Sequence, residues 1–259
     1  MRSTRLRIRG SGGIELGAVL DGPEAGEPKA YAVFAHCFTC TKDYKIIVGI
    51  DRVLTEAGWG VLRFDFAGLG ESGGRFAETN FSTNVEDLLG AAAFLEANFG
   101  APTLLLGHSL GGAAVLAAAS RVPTVRGVVT VAAPAELVSL THHFQERLEE
   151  IRSLGEAQVR VSGRLFPITR QFVEDLGRTR LEAAIRELPC PLLVCHSPVD
   201  EVVPVSNAER IFAAAPHPKS FVALRGDHLL LRKEDARFAG TMIAAWARPI
   251  LEGEKGGEA

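Results

Sequence analysis

The densest chemical signal in the sequence is Leu104-Leu105-Leu106-Gly107-His108-Ser109-Leu110-Gly111-Gly112, followed at once by the alanine-rich run from Ala113 to Ser120. A short apolar strand, a Gly-x-Ser-x-Gly turn and a helix, in that order, are the parts of a nucleophile elbow, with the serine at the tip of a strained strand-to-helix turn. Side chains at the flanking positions would collide with neighbouring backbone, and glycine removes the collision. The helix that opens after Ser109 aims free N–H groups and the positive end of its dipole at the oxygen of whatever the serine attacks. The first of those donors is the N–H of Leu110. This is the equipment of acyl transfer, in which a hydroxyl adds to a carbonyl and an oxyanion forms beside the helix.

A serine hydroxyl is a weak nucleophile and needs a base and a group that orients the base. Of the seven histidines, His108 lies in the elbow, His36 in a loop after a strand, and His142 and His143 in a later insertion, while His196 and His217 have no motif around them. His228, in Leu224-Arg225-Gly226-Asp227-His228, stands just past the last strand and before the last helix. The aspartates between Ser109 and His228 are Asp175, Asp200 and Asp227. Asp200, in Ser197-Pro198-Val199-Asp200-Glu201-Val202-Val203-Pro204, directly follows a core strand, so its carboxylate should emerge at the same sheet edge. Asp175 falls in the insertion, Asp227 adjoins the histidine and would point elsewhere, and Glu201 is the weaker rival.

The elements that must position these groups alternate. Leu6 and Ile8 between Arg5, Arg7 and Arg9 suggest a solvated edge strand, and Ile14 to Leu20 its antiparallel neighbour. Ala30 to Ala35, Val61 to Phe64, Leu104 to Leu106, Val125 to Ala132 and Leu192 to Cys195 read as buried strands, with a last strand over Ser220 to Leu224. Between them lie helices carrying Ile46, Ile47, Ile50 and Leu54; Val85, Leu88 and Leu95, with a capping box at Thr83-Asn84-Val85-Glu86; the helix of the elbow; a short helix over Ser206 to Ala214; and one over Asp235 to Ile250 with Phe238, Met242 and Trp246 inward. Alternating strands and helices with two-sided apolar strands argue an α/β class with a doubly wound, mostly parallel sheet. The pattern lapses between Pro134 and Pro189, where a hairpin over Val159 to Leu165 and one helical stripe of Leu140, Phe144, Leu148 and Ile151 suggest a small lid insertion at approximately 134–188. The whole, 1–259, is expected to form one such domain, ending in a frayed tail at Gly253-Glu254-Lys255-Gly256-Gly257.

Composition narrows the partner. With 28 basic and 31 acidic residues the formal net charge is -3, which gives no electrostatic case for nucleic acid or an anionic membrane. A small-molecule acyl ester is the expected partner, with no cofactor and no metal. The basic N-terminus lacks the apolar stretch of a signal peptide, and no run approaches a membrane span. Four cysteines, Cys37, Cys40, Cys190 and Cys195, argue against a disulfide scaffold and for a reducing, cytoplasmic setting. Cys37-Phe38-Thr39-Cys40 also has the placement of a thiol-redox pair. His36 with the two thiols gives three ligands close in sequence, short of a structural zinc site.

Together these motifs resemble the α/β-hydrolases. Gly107-His108-Ser109-Leu110-Gly111 is similar to that family's elbow, and Asp65-Phe66-Ala67-Gly68-Leu69-Gly70-Glu71-Ser72 resembles its Asp-x-Arg-Gly-x-Gly-x-Ser loop. More narrowly, Phe34-Ala35-His36-Cys37-Phe38-Thr39-Cys40-Thr41-Lys42-Asp43 resembles the hydrolase domain fused to OsmC-type domains in some bacterial proteins, with no OsmC-like half present here. Ala67 stands where the family carries arginine, and Cys37 where its oxyanion motif carries glycine. The resemblance implies an eight-stranded sheet, the chain order Ser109, Asp200, His228 for a catalytic triad, and an oxyanion hole from the backbone N–H groups of Phe38 and Leu110. It implies a serine esterase, with thioesterase and aminopeptidase as variants of the same chemistry. A non-catalytic binding or thiol-redox module using Cys37 and Cys40 is the alternative of a different class.

Overall fold

The computed structural model describes residues 1–161 and 163–253, so the tail expected past Gly253 lies outside the described residues. In chain order come β1 (Arg2–Arg9), β2 (Glu15–Gly22), β3 (Ala30–Ala35), α1 (Lys45–Glu56), β4 (Trp59–Phe64), α2 (Phe81–Asn98), β5 (Pro102–His108), α3 (Leu110–Ala118) and β6 (Gly127–Val131). A 3-10 segment (Val138–Arg147), α4 (Leu148–Leu154), β7 (Glu156–Val161), β8 (Arg164–Thr169), α5 (Arg170–Arg178) and α6 (Leu181–Arg186) follow. The chain then adds β9 (Leu192–His196), α7 (Ser206–Ala214), β10 (Lys219–Ala223) and α8 (Lys233–Leu251).

Eight strands form one sheet in the order β1-β2-β4-β3-β5-β6-β9-β10. β1 and β2 pair antiparallel, β2 meets β4 antiparallel, and every pairing from β4 to β10 is parallel. Alternation along each strand divides the core between the two faces. Val33, Leu105 and Val128 look toward α2 and α3, whereas Phe34, Leu106 and Val129 look toward α1 and α8. Strand ends β3, β5, β6 and β9 therefore leave their connecting loops at one edge, where open α/β sheets gather ligands.

Three local expectations change. The capping box of α2 is Asn80 with Thr83, not Thr83 with Glu86: the Thr83 N–H donates to Asn80 Oδ1 at 2.8 Å, and the Asn80 N–H to Thr83 Oγ1 at 2.9 Å. Either asparagine or threonine can cap, and here the earlier residue takes the role. The inward stripe of α8 is Ala239, Ile243 and Ala247, while Phe238 is exposed and Met242 and Trp246 are half-buried. Small residues win that face because α8 lies close on α1: a Cβ on Gly240 would sit 2.9 Å from Val53 Cβ, and one on Gly49 would sit 2.7 Å from Ala236 Cβ. The stripe of Leu140, Phe144, Leu148 and Ile151 is not one helix. Non-helical angles at Phe144 divide it into the 3-10 segment and α4.

The insertion between β6 and β9 is anchored by its own hairpin of β7 with β8, whose buried Val159, Phe166 and Ile168 continue the α2 and α3 core. Phe172 of α5 belongs to the same cluster. Ser82 on α2 also ties it down, donating from its hydroxyl and its N–H to the Asp175 carboxylate at 2.6 and 2.8 Å. That contact gives Asp175 a structural role away from the serine.

Candidate active site

Ser109 sits between β5 and α3 with φ 54° and ψ -120°, a region that side-chain-bearing residues rarely occupy. The surrounding glycines explain how such a turn is built. A Cβ on Gly107 would come 2.1 Å from the Gly111 carbonyl oxygen, and one on Gly111 would come 2.3 Å from that of Ala35. The Ser109 N–H donates to the Val131 carbonyl at 2.8 Å, so the turn is held against β6 as well. Among the described residues the Ser109 hydroxyl has no hydrogen-bond partner, and it opens into a cavity of about 270 Å³ that His228 also lines.

His228 follows β10 and is nearly buried. Its Nδ1–H donates to Asp200 Oδ2 at 2.8 Å, which leaves Nε2 as the ring's free lone pair. Asp200 lies in the turn after β9, and its other oxygen accepts the N–H groups of Val202 and Val203 at 2.9 and 2.8 Å. Burial pushes this carboxyl up, but the hydrogen bond and charge of His228 and those two N–H groups outweigh it and hold Asp200 below its ordinary range. The rivals are elsewhere. Asp227 Oδ1 accepts the Leu231 N–H at 3.3 Å, and Glu201 is exposed.

The loop after β3 faces the serine. Cys37, Phe38 and Cys40 line its cavity, and the Phe38 N–H has no protein acceptor among the described residues. The Leu110 N–H, at the first position of α3, has no acceptor within the helix by construction. Phe38 is fixed by its ring, which packs on Phe76 and Phe172 at centroid distances of 6.0 and 5.5 Å. Cys37 and Cys40, which the cysteine count placed in a reducing setting, are joined as a disulfide with their Cα atoms 5.3 Å apart. The loop that would hold the oxyanion is thus cross-linked across Phe38 and Thr39, and Thr39 takes φ 59° to close the turn. Cys190 and Cys195 are free.

Behind this loop the substitution of Ala67 for arginine is compensated by other residues. Lys42, 2% exposed, places Nζ 2.8 Å from both Asp65 Oδ2 and Glu71 Oε2. Asp87 on α2 accepts the Ala67 N–H at 2.9 Å and the Ser11 N–H at 2.7 Å. Ser72 donates to the Asp65 carbonyl at 2.6 Å and accepts the Gly17 N–H, which makes it the brace of the turn.

Three buried histidines surround the pair without joining it. His36 donates from Nδ1 to the Cys37 carbonyl at 2.8 Å and accepts the Phe66 N–H at Nε2, so it locks the loop after β3 to the glycine-rich loop as a neutral ring. His108 donates from Nε2 to the His228 carbonyl at 2.9 Å, and burial first, then the neighbouring His228, hold its pKa down at about 3. His196, which stands outside any motif, lies at the end of β9 with Nε2 2.8 Å from the Val203 carbonyl and 3.5 Å from Asp200 Oδ2. Its position at the mouth of a core strand was the one available signal. Tyr44, Leu140, His143, Arg160 and Val202 also reach the serine cavity, and none of them had a part in the site as read from the sequence.

Among the described residues no cluster of histidine, cysteine and carboxylate side chains could hold a metal ion, and no helix is long and apolar enough to cross a membrane.

Comparison with known proteins agrees with this architecture. A family profile described as serine aminopeptidase, S33 (Hydrolase_4), matches residues 26–170. The esterase domain of a Rhodothermus marinus protein is 44% identical, with a TM-score of 0.77 over 96% of this chain and 98% of that one. Est1E from Butyrivibrio proteoclasticus, solved with ferulic acid bound, is 21% identical over 94% of this chain and 98% of its own, with a TM-score of 0.78, and shares the fold. Mitochondrial palmitoyl-protein thioesterase ABHD10 of Mus musculus is 29% identical over 73% of this chain. The match spans 65% of that relative's length.

Proposed function

Because the chain belongs to the serine aminopeptidase, S33, family and has the α/β-hydrolase fold, we propose that it is a serine hydrolase cleaving small carboxylic esters through an acyl-enzyme. In this reading His228 takes the Ser109 proton at Nε2 as the hydroxyl adds to the ester carbonyl. Asp200 keeps the ring in the tautomer that leaves Nε2 free and stabilises the imidazolium that forms. The N–H groups of Phe38 and Leu110 receive the oxyanion, and loss of one such donor costs about 3 kcal/mol of transition-state stabilisation. His228 returns its proton to the leaving alkoxide, then activates the water that releases the acid.

One observation carries the proposal: the 2.8 Å contact of His228 Nδ1 with Asp200, made in the wall of the same cavity into which the strained Ser109 opens. The esterase domain from Rhodothermus marinus supports an ester as the substrate class. A thioester is the second reading, favoured by the mouse relative, which is a palmitoyl-protein thioesterase. An aminopeptidase would need carboxylates beside the scissile bond to hold the substrate's amine. Glu146, Glu149 and Glu150 do not line the serine cavity, although Glu146 lines the adjoining polar one, and Glu150 is paired with Arg147 at 2.6 Å.

The test is turnover of a matched set of p-nitrophenyl esters, acyl thioesters and aminoacyl anilides by the wild-type protein and by S109A. Faster cleavage of the esters, lost in S109A, supports the proposal. Cleavage that persists in S109A and disappears when Cys37 and Cys40 are both replaced by serine would move the chemistry to the disulfide.

A further inference from the structure

Two cavities meet at the insertion, and His143 and Arg160 line both of them. The first is the serine cavity, whose remaining wall is largely apolar, with Phe38, Leu140, Val161, Val202 and Leu229 around Ser109 and His228. The second, of about 480 Å³, lies between the 3-10 segment and the hairpin and is polar, with Gln145, Arg147, Gln158 and Glu146 in its wall. A substrate bound at Ser109 therefore has an apolar compartment around its reacting end and a polar one beyond the two shared side chains.

The charge at that junction belongs to Arg160. It projects from β7 and donates from Nη1 to the Gly163 carbonyl at 3.0 Å, with no carboxylate in ion-pair contact among the described residues. Arg147, in the same polar cavity, is already engaged by Glu150. Burial, then the neighbouring His228 and His142, push the His143 ring below its ordinary pKa, and the ring shares the lining of both cavities with the guanidinium. Glu146 also lines the second cavity and would repel an anion placed against it. A planar guanidinium with donors to spare at the boundary of two compartments matches the paired oxygen acceptors of carboxylates and phosphates.

We propose that Arg160 and His143 form a subsite for an anionic group, carboxylate or phosphate, on the substrate, so that esters carrying a negative charge a few bonds from the scissile carbonyl are preferred over neutral ones. This rests on the ester-hydrolase reading above. Arg160 is a specificity residue here: it binds the charged end of the substrate and leaves proton transfer to His228.

Four esters test it. p-Nitrophenyl butyrate is neutral, p-nitrophenyl hydrogen succinate and p-nitrophenyl 4-phosphonobutyrate put a carboxylate or a phosphonate on the acyl side, and the butyrate ester of 4-hydroxybenzoate puts the charge on the leaving group. The expected result is that R160Q narrows the ratio of charged to neutral kcat/KM by about 10-fold or more for at least one charged ester, chiefly through KM, and that R160K restores part of the ratio. The ester that responds identifies which anion, and which side of the scissile bond, the subsite reads. A ratio that R160Q leaves unaltered for all three charged esters, while hydrolysis continues, overturns the subsite alone. Failure of the wild-type protein to cleave any of the four overturns the ester reading and the subsite with it.

Discussion

The ring of His108 is hydrogen-bonded to the backbone of His228: Nε2 lies 2.9 Å from the carbonyl oxygen across 120 residues of sequence. The nucleophile elbow thus holds the histidine loop by its main chain, while Asp200 holds the same histidine by its side chain. Burial keeps the His108 ring in that tie neutral, and this has a measurable consequence.

Because the folded state holds the His108 pKa at about 3 against 6.5 in the unfolded chain, the unfolded chain binds a proton there that the folded state refuses. The contribution of this group to stability is intact above pH 6.5 and is lost as pH falls toward 3. Between pH 7 and pH 5 the loss should be about 2 kcal/mol from this residue. Urea unfolding at both pH values checks it, and H108Q should show a smaller drop by about that amount.

Asp200→Asn keeps the shape of the site but can present a donor to His228 Nδ1, which favours the tautomer with Nε2 protonated and useless as a base. Ester turnover should fall roughly 10³- to 10⁴-fold in kcat with little change in KM, and folding should be preserved. Steady-state kinetics with a p-nitrophenyl ester, beside a thermal melt, gives both readings.

Gly111→Ala should damage the scaffold before the chemistry. The new Cβ would lie 2.3 and 2.5 Å from the carbonyl oxygens of Ala35 and His36, both fixed by the end of β3, so either the elbow or the oxyanion loop must move. A destabilisation of about 3 kcal/mol or more is expected, from denaturant midpoints at constant slope.

How much was legible in advance follows from these same residues. The elbow announced itself because its chemistry demands glycine at Gly107 and Gly111, and a steric demand leaves a mark in the sequence. The succession of core strands and helices could be followed, since each core strand is apolar on both faces, whereas the order of the strands in the sheet came only from the structure. The inward face of α8 was not legible: apolar moment favours Phe238, but the close approach of α1 at Gly49 and Gly240 admits only small side chains there. Tyr44 and Arg160 reach the site through tertiary placement alone, so no local pattern could nominate them, and His196 had only its position at the end of a core strand. Lys42 is a further case, a lysine in a loop that turns out to be buried.

Lys42→Met should show what that burial costs. It removes the positively charged partner that lies 2.8 Å from Asp65 Oδ2, alone in that among the described residues, and strands a fully buried carboxylate, although the Lys42 and Glu71 N–H groups still donate to it. Breaking a buried pair from one side costs about 3–5 kcal/mol, and the glycine-rich loop should become the first region to exchange its amide hydrogens. Hydrogen exchange by mass spectrometry resolves both effects.

The central claim is that one hydroxyl, that of Ser109, is activated by His228 and does the chemistry. Treatment with a fluorophosphonate followed by peptide mapping addresses it most directly. The account predicts a single covalent adduct on the peptide containing Ser109, absent in S109A and formed far more slowly in H228A; an adduct that persists undiminished in S109A, or one that maps to another residue of the wild-type protein, would contradict it.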